Sequence, residues 1–344
     1  MLFHTEFTPE PLPCRIGQES RIVTLGSCFA EVMGQRLADH KLDVLTNPFG
    51  TIFNPVSLAK LLTMALSGTA PDENRYVERD GVWFHYDFHS SLYAHSHADL
   101  RTLLTQTLAQ TAGAIRQADF LLLTLGTAMV YRHIETGKVV ANCHKMPGIL
   151  FEKYLYNYNY LLDDMKRLLK TLHKANPKLN IVLTVSPVRH TRDTLPMNSV
   201  SKAILRAVAH ELTVWNRQVH YFPAFELMTD DLRDYRFYEV DMIHPNAQAH
   251  DYIFGKFAQS AFNSDLCRFI TEWSQISKSL AHRPLYGNST AHQQFLAKLL
   301  TQLESLPVRI DVSAELADVR GRLNQCRTKS RHAEPEGQIA SSLP

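Results

Sequence analysis

Apolar positions along this chain switch repeatedly between two spacings, and the switching predicts the architecture. Short runs rich in β-branched and apolar residues mark strands at 21–25, 41–45, 120–125, 181–186 and 220–225. The run at 120–125, Phe-Leu-Leu-Leu-Thr-Leu, is apolar almost throughout, which suits a strand covered on both faces. Between the runs, apolar residues recur at one-face helical spacing. Leu161, Leu162, Met165, Leu168, Leu169 and Leu172 form one such stripe, and Val200, Ile204, Val208 and Trp215 another. Strands alternating with helices predict an α/β fold, a three-layer α/β/α sandwich with a mostly parallel central sheet. Ligands of such sheets bind at the carboxyl ends of the strands. Gly26 to Cys28, Gly126 with Thr127, and residues 186–189 all fall there.

Two regions stand outside this alternation. Residues 66–100 carry polar connections and a Trp83, Phe84, Tyr86, Phe88 cluster, expected to be an insertion folded over the site or the sheet edge. Residues 280–325 hold a further helical pattern, with Phe295, Leu299, Leu300 and Leu303. From about Thr328 the chain turns polar and reads as a frayed tail. The expected organisation is one domain over 1–315 with an insertion at about 66–100, then a helical end and disordered tail over 316–344.

Composition narrows the class. A chain of 344 residues with 45% hydrophobic and 20% charged residues can bury a large core. Its net charge of +2 gives no reason to expect nucleic acid or an anionic membrane surface as partner. No apolar run approaches the roughly 18 residues of a membrane span. The first residues lack the basic and apolar regions of a signal peptide. Cys14, Cys28, Cys143, Cys267 and Cys326 are scattered and odd in number, which points to a reducing compartment, with the cytoplasm as the default. Nothing in the pattern fixes an oligomeric state.

Candidate chemistry lies in two distant segments. After the first strand, Gly26-Ser27-Cys28 makes a sharp turn into a helical pattern at Glu31, Val32, Met33, Arg36 and Leu37. A thiol or hydroxyl there meets free backbone N–H groups and the positive end of the helix dipole, where an anion is stabilised. Far downstream, Asp241-Met-Ile-His244-Pro245-Asn246 precedes an amphipathic run. Pro245 suits a first helical position, placing His244 at the helix start with Asp241 three residues before it. An Asp so placed can fix the tautomer and orientation of a histidine base.

Taken together, these segments resemble a known family. Gly26-Ser27-Cys28-Phe29-Ala30 is similar to the motif that names the GSCFA-domain family, placed among the SGNH/GDSL-type hydrolases. Further matching stretches are Asn47-Pro-Phe-Gly-Thr-Ile-Phe-Asn-Pro55, Asp87-Phe-His-Ser90, Leu125-Gly-Thr-Ala128, Asn142-Cys-His-Lys145, Ser186-Pro-Val-Arg-His190 and Asp234-Tyr-Arg-Phe-Tyr238. The resemblance runs from about residue 1 to about 315. It implies a Gly-x-nucleophile block whose third position falls on Cys28, with Ser27 the nucleophile in the alternative register. It also implies oxyanion donors, which Gly50 resembles. The superfamily's Gly-x-Asn-Asp block has no Asn here, since Gly126 is followed by Thr127-Ala128-Met129. Asn142 is the substitute considered, with a turn-capping role equally open, and His144 is a candidate substrate contact.

The implied activity is an acyl hydrolase, an esterase or deacylase, acting on a small-molecule or glycan O-acyl ester through a Cys (or Ser)-His-Asp site. An acyltransferase using the same residues, or a non-catalytic glycan- or acyl-binding module, are the alternatives. No cofactor is implied. His85, His89, His95 and His97 are clustered without zinc-ligand spacing, so no metal is expected. Arg189 and His190 could bind an anionic group or belong to an ordinary charged loop.

Overall fold

A computed structural model describes residues 5–284, 289–307 and 310–331. The chain divides into two compact units, Met1–Asn263 and Ser264–Pro344. The sheet of the first unit joins β1 (Arg21–Gly26), β2 (Asp43–Thr46), β5 (Phe120–Leu125), β9 (Asn180–Val185) and β10 (Val219–Tyr221) in the spatial order β10-β9-β5-β1-β2. Every pairing is parallel, with Ile22 opposite Phe120 and Leu121 opposite Ile181. Numbered along the chain, these five strands lie in the order 2-1-3-4-5. The direction of winding therefore reverses between β1 and β5, and such a switch point opens a crevice at the strands' carboxyl ends.

Period-two alternation distributes the strand side chains between two cores. Val23, Leu25, Leu121, Leu123, Leu125, Ile181, Leu183 and Val185 point to one face, into a core shared with Leu58, Leu62, Leu104, Leu168, Leu205 and Leu212. Those partners lie on α2 (Pro55–Ser67), α3 (His97–Gln117), α4 (Tyr158–Ala175) and α5 (Leu195–Trp215). On the other face, Leu122, Thr124, Val182 and Thr184 meet Phe29, Ala30 and Met33 of α1 (Cys28–Asp39), with Phe222 and Phe257. Phe257 belongs to α7 (Ala247–Ala261), and a single-turn α6 (Ala224–Glu226) follows β10. Helices thus cover both faces, giving the α/β/α sandwich. The expected strands are present with ends moved by one or two residues, except that 220–225 contributes only its first two positions to β10. On α5 the buried face is Ser201, Lys202, Leu205, Val208, Ala209 and Leu212. Val200 and Trp215, expected on that face, are exposed.

Two small antiparallel sheets are added to this core. β3 (Tyr76–Arg79) and β4 (Val82–His85) form a hairpin inside the 66–100 region. Asp80 and Gly81 turn it at φ 55° and 77°, as a two-residue hairpin loop requires. β6 (Met129–His133), β7 (Val139–Val140) and β8 (Phe151–Leu155) make the second sheet, which the sequence pattern did not predict. A buried ion cluster steadies the first insertion. Arg75 donates to Asp87 at 2.6 Å and to the Val139 carbonyl at 2.7 Å, while Lys60 reaches the other Asp87 oxygen at 2.6 Å.

The second unit is helical, with α8 (Ser264–Ala281), α9 (Thr290–Glu304) and α10 (Ser313–Arg331). Trp273, Ile276, Leu296, Leu299, Leu303, Val319 and Leu323 form its own core. That separate core places the division at 263/264 instead of 315/316. The expected tail beyond Arg331 lies outside the described residues. Among the described residues no helix is long and apolar enough to cross a membrane.

Candidate active site

The turn after β1 is built by small residues at close quarters. Gly26 has φ 138°, and a Cβ there would sit 2.1 Å from the Thr124 carbonyl oxygen. Its N–H donates to Asn47 Oδ1 at 2.9 Å, and its carbonyl accepts from Ile52 N–H at 2.8 Å. Ser27 is fully buried, and its Oγ accepts from Phe29 N–H at 3.3 Å, so it serves as the N-cap of α1. Cys28 is the first helical residue and is half-buried. Of the two candidate nucleophiles, Ser27 is buried and committed to the cap, whereas Cys28 is partly open.

The helix end does not make Cys28 a ready thiolate. Burial pushes its thiol above the ordinary value. The N–H groups of Phe29 and Cys28 and the Lys202 ammonium pull the other way, and Glu31 adds a smaller upward push. Desolvation outweighs these N–H groups and the ammonium, contrary to the expectation of an anion-favouring turn.

Asp241 and His244 meet as predicted. His244 Nδ1 donates to Asp241 Oδ2 at 2.7 Å, while Asp241 Oδ1 accepts from the N–H groups of Ile243 at 2.8 Å and His244 at 3.0 Å. The bond from the imidazole, followed by those from the backbone, holds this carboxyl down to about 2. The helix begins later than expected. Asn246, not His244, is its N-cap, and Ala247 its first residue. Pro245 instead forms an isolated bridge with Tyr238, because Asn246 N–H bonds the Phe237 carbonyl and Glu239 N–H bonds the His244 carbonyl. The Asp234 to Tyr238 stretch therefore positions the dyad through the backbone.

A cavity of about 500 Å³ opens beside the dyad. Asp241, Ile243 and His244 form one wall, Val188 to Asp193 another, and Phe53, Asn54, Thr127, Met129, Tyr131, Ala141 and Lys153 the rest. The covering wall comes from the β6–β8 sheet, not from the 66–100 insertion. Cys28 Sγ makes no hydrogen bond with His244 among the described residues. The thiol and the dyad belong to the same end of the sheet, and Lys202 acts electrostatically on both Cys28 and His190, as His244 does on His190. Burial, reinforced by Lys202, Lys153 and His244, takes His190 down to about 3, so it is neutral.

The family profile decides the identity. Residues 21–257 match the GSCFA family, and residues 273–325 match the GSCFA domain protein, C-terminal domain. This chain belongs to the GSCFA family. No curated protein matches it in sequence. Among solved structures it is similar to a protein provisionally described as a platelet activating factor from Streptococcus pneumonia, at 14% identity over 70% of this chain and 83% of that one, with TM-score 0.37. An acetyl esterase mutant with acetate ion matches at 12% identity over 73% and 98%, TM-score 0.33. A carbohydrate esterase family 3 structure from Talaromyces cellulolyticus matches at 15% over 48% and 65%, TM-score 0.26.

Several expected site residues of this GSCFA chain prove to be structural. Gly50 donates its N–H to the Asn47 carbonyl at 2.7 Å, so that group is not free for an oxyanion. Gly126 is required by close approach: its N–H bonds the Phe53 carbonyl, and a Cβ would lie 2.7 Å from that oxygen. Asn142 closes a turn, its Oδ1 accepting from His144 N–H at 2.8 Å. His144 is buried, stacked on Phe84 and bonded through Nε2 to the His85 carbonyl at 2.9 Å. Burial takes it down to about 4. The histidines at 85–97 do not assemble: His85 bonds the Asp72 carbonyl, while His97 faces Glu73. Among the described residues no group of three or more His, Cys, Asp or Glu could hold a metal ion.

The sequence reading missed Asn54 and Lys202. Asn54 lines the cavity and caps α2 with Oδ1, accepting from Ser57 N–H at 2.8 Å, while its Nδ2 makes no hydrogen bond among the described residues. Lys202 lies on the buried stripe of an amphipathic helix, a position from which a lysine is ordinarily excluded.

Proposed function

We propose that this GSCFA protein is an acyl hydrolase of the SGNH/GDSL type that acts through Cys28, His244 and Asp241. The observation that carries this reading is the dyad. Asp241 fixes the proton of His244 on Nδ1, leaving Nε2 without a partner among the described residues, beside a cavity at the carboxyl ends of the strands. The Cys28 sulfur attacks the ester carbonyl carbon, and His244 Nε2 takes the thiol proton as the S–C bond forms. His244 returns that proton to the leaving alcohol oxygen when the tetrahedral intermediate breaks its C–O bond. Water, deprotonated by the same imidazole, then adds to the thioester carbon, and the C–S bond breaks as the imidazolium returns that proton to the sulfur. General-base hydrogen bonds of this kind often tighten only when substrate is bound.

Donors for the oxyanion are the Cys28 N–H at the amino end of α1, whose neighbours at Phe29 and Ala30 are bonded to Ser27, and Asn54 Nδ2. The latter stands in for the Asn that the Gly126-Thr127 block lacks. The substrate class carried by this reading is an O-acyl ester, of a glycan or a small molecule. The test is incubation with activated acetyl and longer acyl esters, followed by intact-mass and peptide-mass measurement. An acyl adduct on Cys28 is expected in the wild type and in Ser27→Ala, and none in Cys28→Ala. An adduct that survives Cys28→Ala refutes the assignment.

A further inference from the structure

Lys202 is among the largest fully buried side chains of the protein, at 2% exposure. Its Nζ donates to the carbonyls of Gly126 and Ser186, each at 2.7 Å. Those carbonyls lie just past the ends of β5 and β9, so the amine spans the mouth of the sheet. Two residues before Gly126, the Thr124 carbonyl accepts the Ser27 N–H at 3.2 Å, which ties the same strand end to the turn carrying Cys28. A lysine ammonium has three donors, and the carbonyls take two. Among the described residues no carboxylate pairs with it. The Phe225 ring lies 6.0 Å from it, and the neutral His190 imidazole and the Cys28 thiol are the titratable groups that feel its charge. Facing Cys28 in turn are Lys202, Glu31 and the N–H groups of Cys28 and Phe29.

Capping two carbonyls does not call for a charge, because a water or an amide side chain would satisfy them. An ammonium buried without a carboxylate is costly unless an anion forms beside it. Of the described titratable groups that feel this charge, Cys28 is the one able to become that anion.

We propose that Lys202 is a positioning residue of this site, a buried ammonium anchored on the Gly126 and Ser186 carbonyls whose unpaired charge favours the thiolate of Cys28. The proposal deepens the hydrolase reading but rests only on Cys28 being reactive, and it survives if no ester is turned over. Burial brings the Lys202 amine down to about 7, so its charge is present below that pH and lost above it. The effect on Cys28 must follow the same course.

The test is the rate at which iodoacetamide alkylates Cys28, followed by peptide mass from pH 6 to pH 10 in wild type and Lys202→Met. Sulfur displaces iodide only as the thiolate. The variant should react about tenfold more slowly at pH 6 to 7, equivalent to a one-unit change in thiolate affinity for its proton, and the two rates should converge near pH 10. A merely structural lysine would leave the rates parallel at all pH values, and that result overturns the proposal. A second measurement needs no substitution. In 13C-lysine protein, the Lys202 Cε titration is compared after Cys28 is capped with iodoacetate, which leaves a fixed anion, or with iodoacetamide, which leaves a neutral group of similar size. The anionic cap should raise the midpoint by about one pH unit. Equal midpoints overturn the proposal even if Lys202→Met does not fold.

Discussion

Asp241→Asn gives the sharpest test of the dyad, because the structure dictates which way the new amide must face. Asp241 Oδ1 accepts from two backbone N–H groups, those of Ile243 and His244, and Oδ2 accepts from one imidazole N–H. An Asn placed with its NH2 toward the backbone would set a donor against two donors. Turned the other way it meets only one, at Nδ1 of His244. The amide therefore keeps its oxygen on the backbone and presents NH2 to the imidazole. Nδ1 must then accept, so the proton moves to Nε2, the atom the mechanism needs as a base. Nothing else need change, since both side chains are 45% exposed and the loop keeps its two backbone bonds. A tautomer error of this kind costs on the order of 10⁴-fold in kcat where a comparable Asp-His pair drives acyl transfer. The assay is hydrolysis of the best activated ester at pH 7, paired with 15N spectra of the labelled histidines. Expected are a loss of at least about 10³-fold, a retained cooperative melting transition, and a His244 signal shifted from the Nδ1–H to the Nε2–H form. If the tautomer flips while the rate stays within a few fold, the imidazole is not the base. If the tautomer does not flip, the account of the loop is wrong.

Other outcomes follow from the same coordinates. Asn54→Ser keeps a cap oxygen for α2 but removes the Nδ2 donor, so kcat should fall about 10²-fold or more with KM little changed; a loss under about threefold would remove Asn54 from the oxyanion site. The Asp241 carboxyl, held to about 2, contributes stability that is complete above the ordinary carboxylate range and fades as pH falls toward 2. It should therefore add no inflection to the rate profile between pH 5 and 9, and an inflection there that Asp241→Asn abolishes would contradict this. Asp87→Ala leaves Arg75 buried without its counter-charge and should lower the unfolding free energy by about 3–5 kcal/mol, read from the urea midpoint. A loss below about 1 kcal/mol would mean that water or Lys60 rearrangement compensates.

Legibility followed the physics of each signal. Phe120-Leu-Leu-Leu-Thr-Leu was readable as a central strand because burial on both faces leaves only apolar residues. The Asp241 to His244 spacing was readable because its geometry is local, a three-residue reach within one loop. The helix start at Asn246 was missed because Pro245 suits a first helical turn, yet its neighbours bond to Phe237 and Arg236 and hold it extended. The β6–β8 sheet was missed because its strands are short and one-sided, with β7 only two residues long. Asp80-Gly81 did carry a hairpin signal, and reading it would have found β3 and β4. The family's Gly-x-nucleophile spacing favours Cys28 over Ser27, but the sequence leaves the alternative register open. In the structure, the burial of Ser27 and the Phe29 bond to its Oγ separate the two. Lys202 is an anomaly on an amphipathic face, but the apolar stripe through Val200 and Trp215 runs one residue out of phase with the buried one.

Burial of Cys28 bears on how the proposed reaction must run. A thiol whose proton is held more tightly than usual does not wait as an exposed thiolate, so deprotonation has to accompany attack, and the base must be delivered with accuracy. The loop bearing His244 is accordingly tied down at several points. Arg189, at the end of β9, accepts the loop's restraint on both its backbone and its side chain: its N–H donates to the Ile243 carbonyl at 3.1 Å and its guanidinium to the Met242 carbonyl at 2.9 Å. Met242 sits at φ 57°, a conformation that a methionine holds only when neighbours enforce it. The guanidinium in turn lies over the rings of Tyr235 and Tyr238. One arginine thus fastens the dyad loop to the same strand end where the Ser186 carbonyl receives Lys202. In the proposed enzyme, β9 therefore sets both the aim of the base and the position of the buried charge.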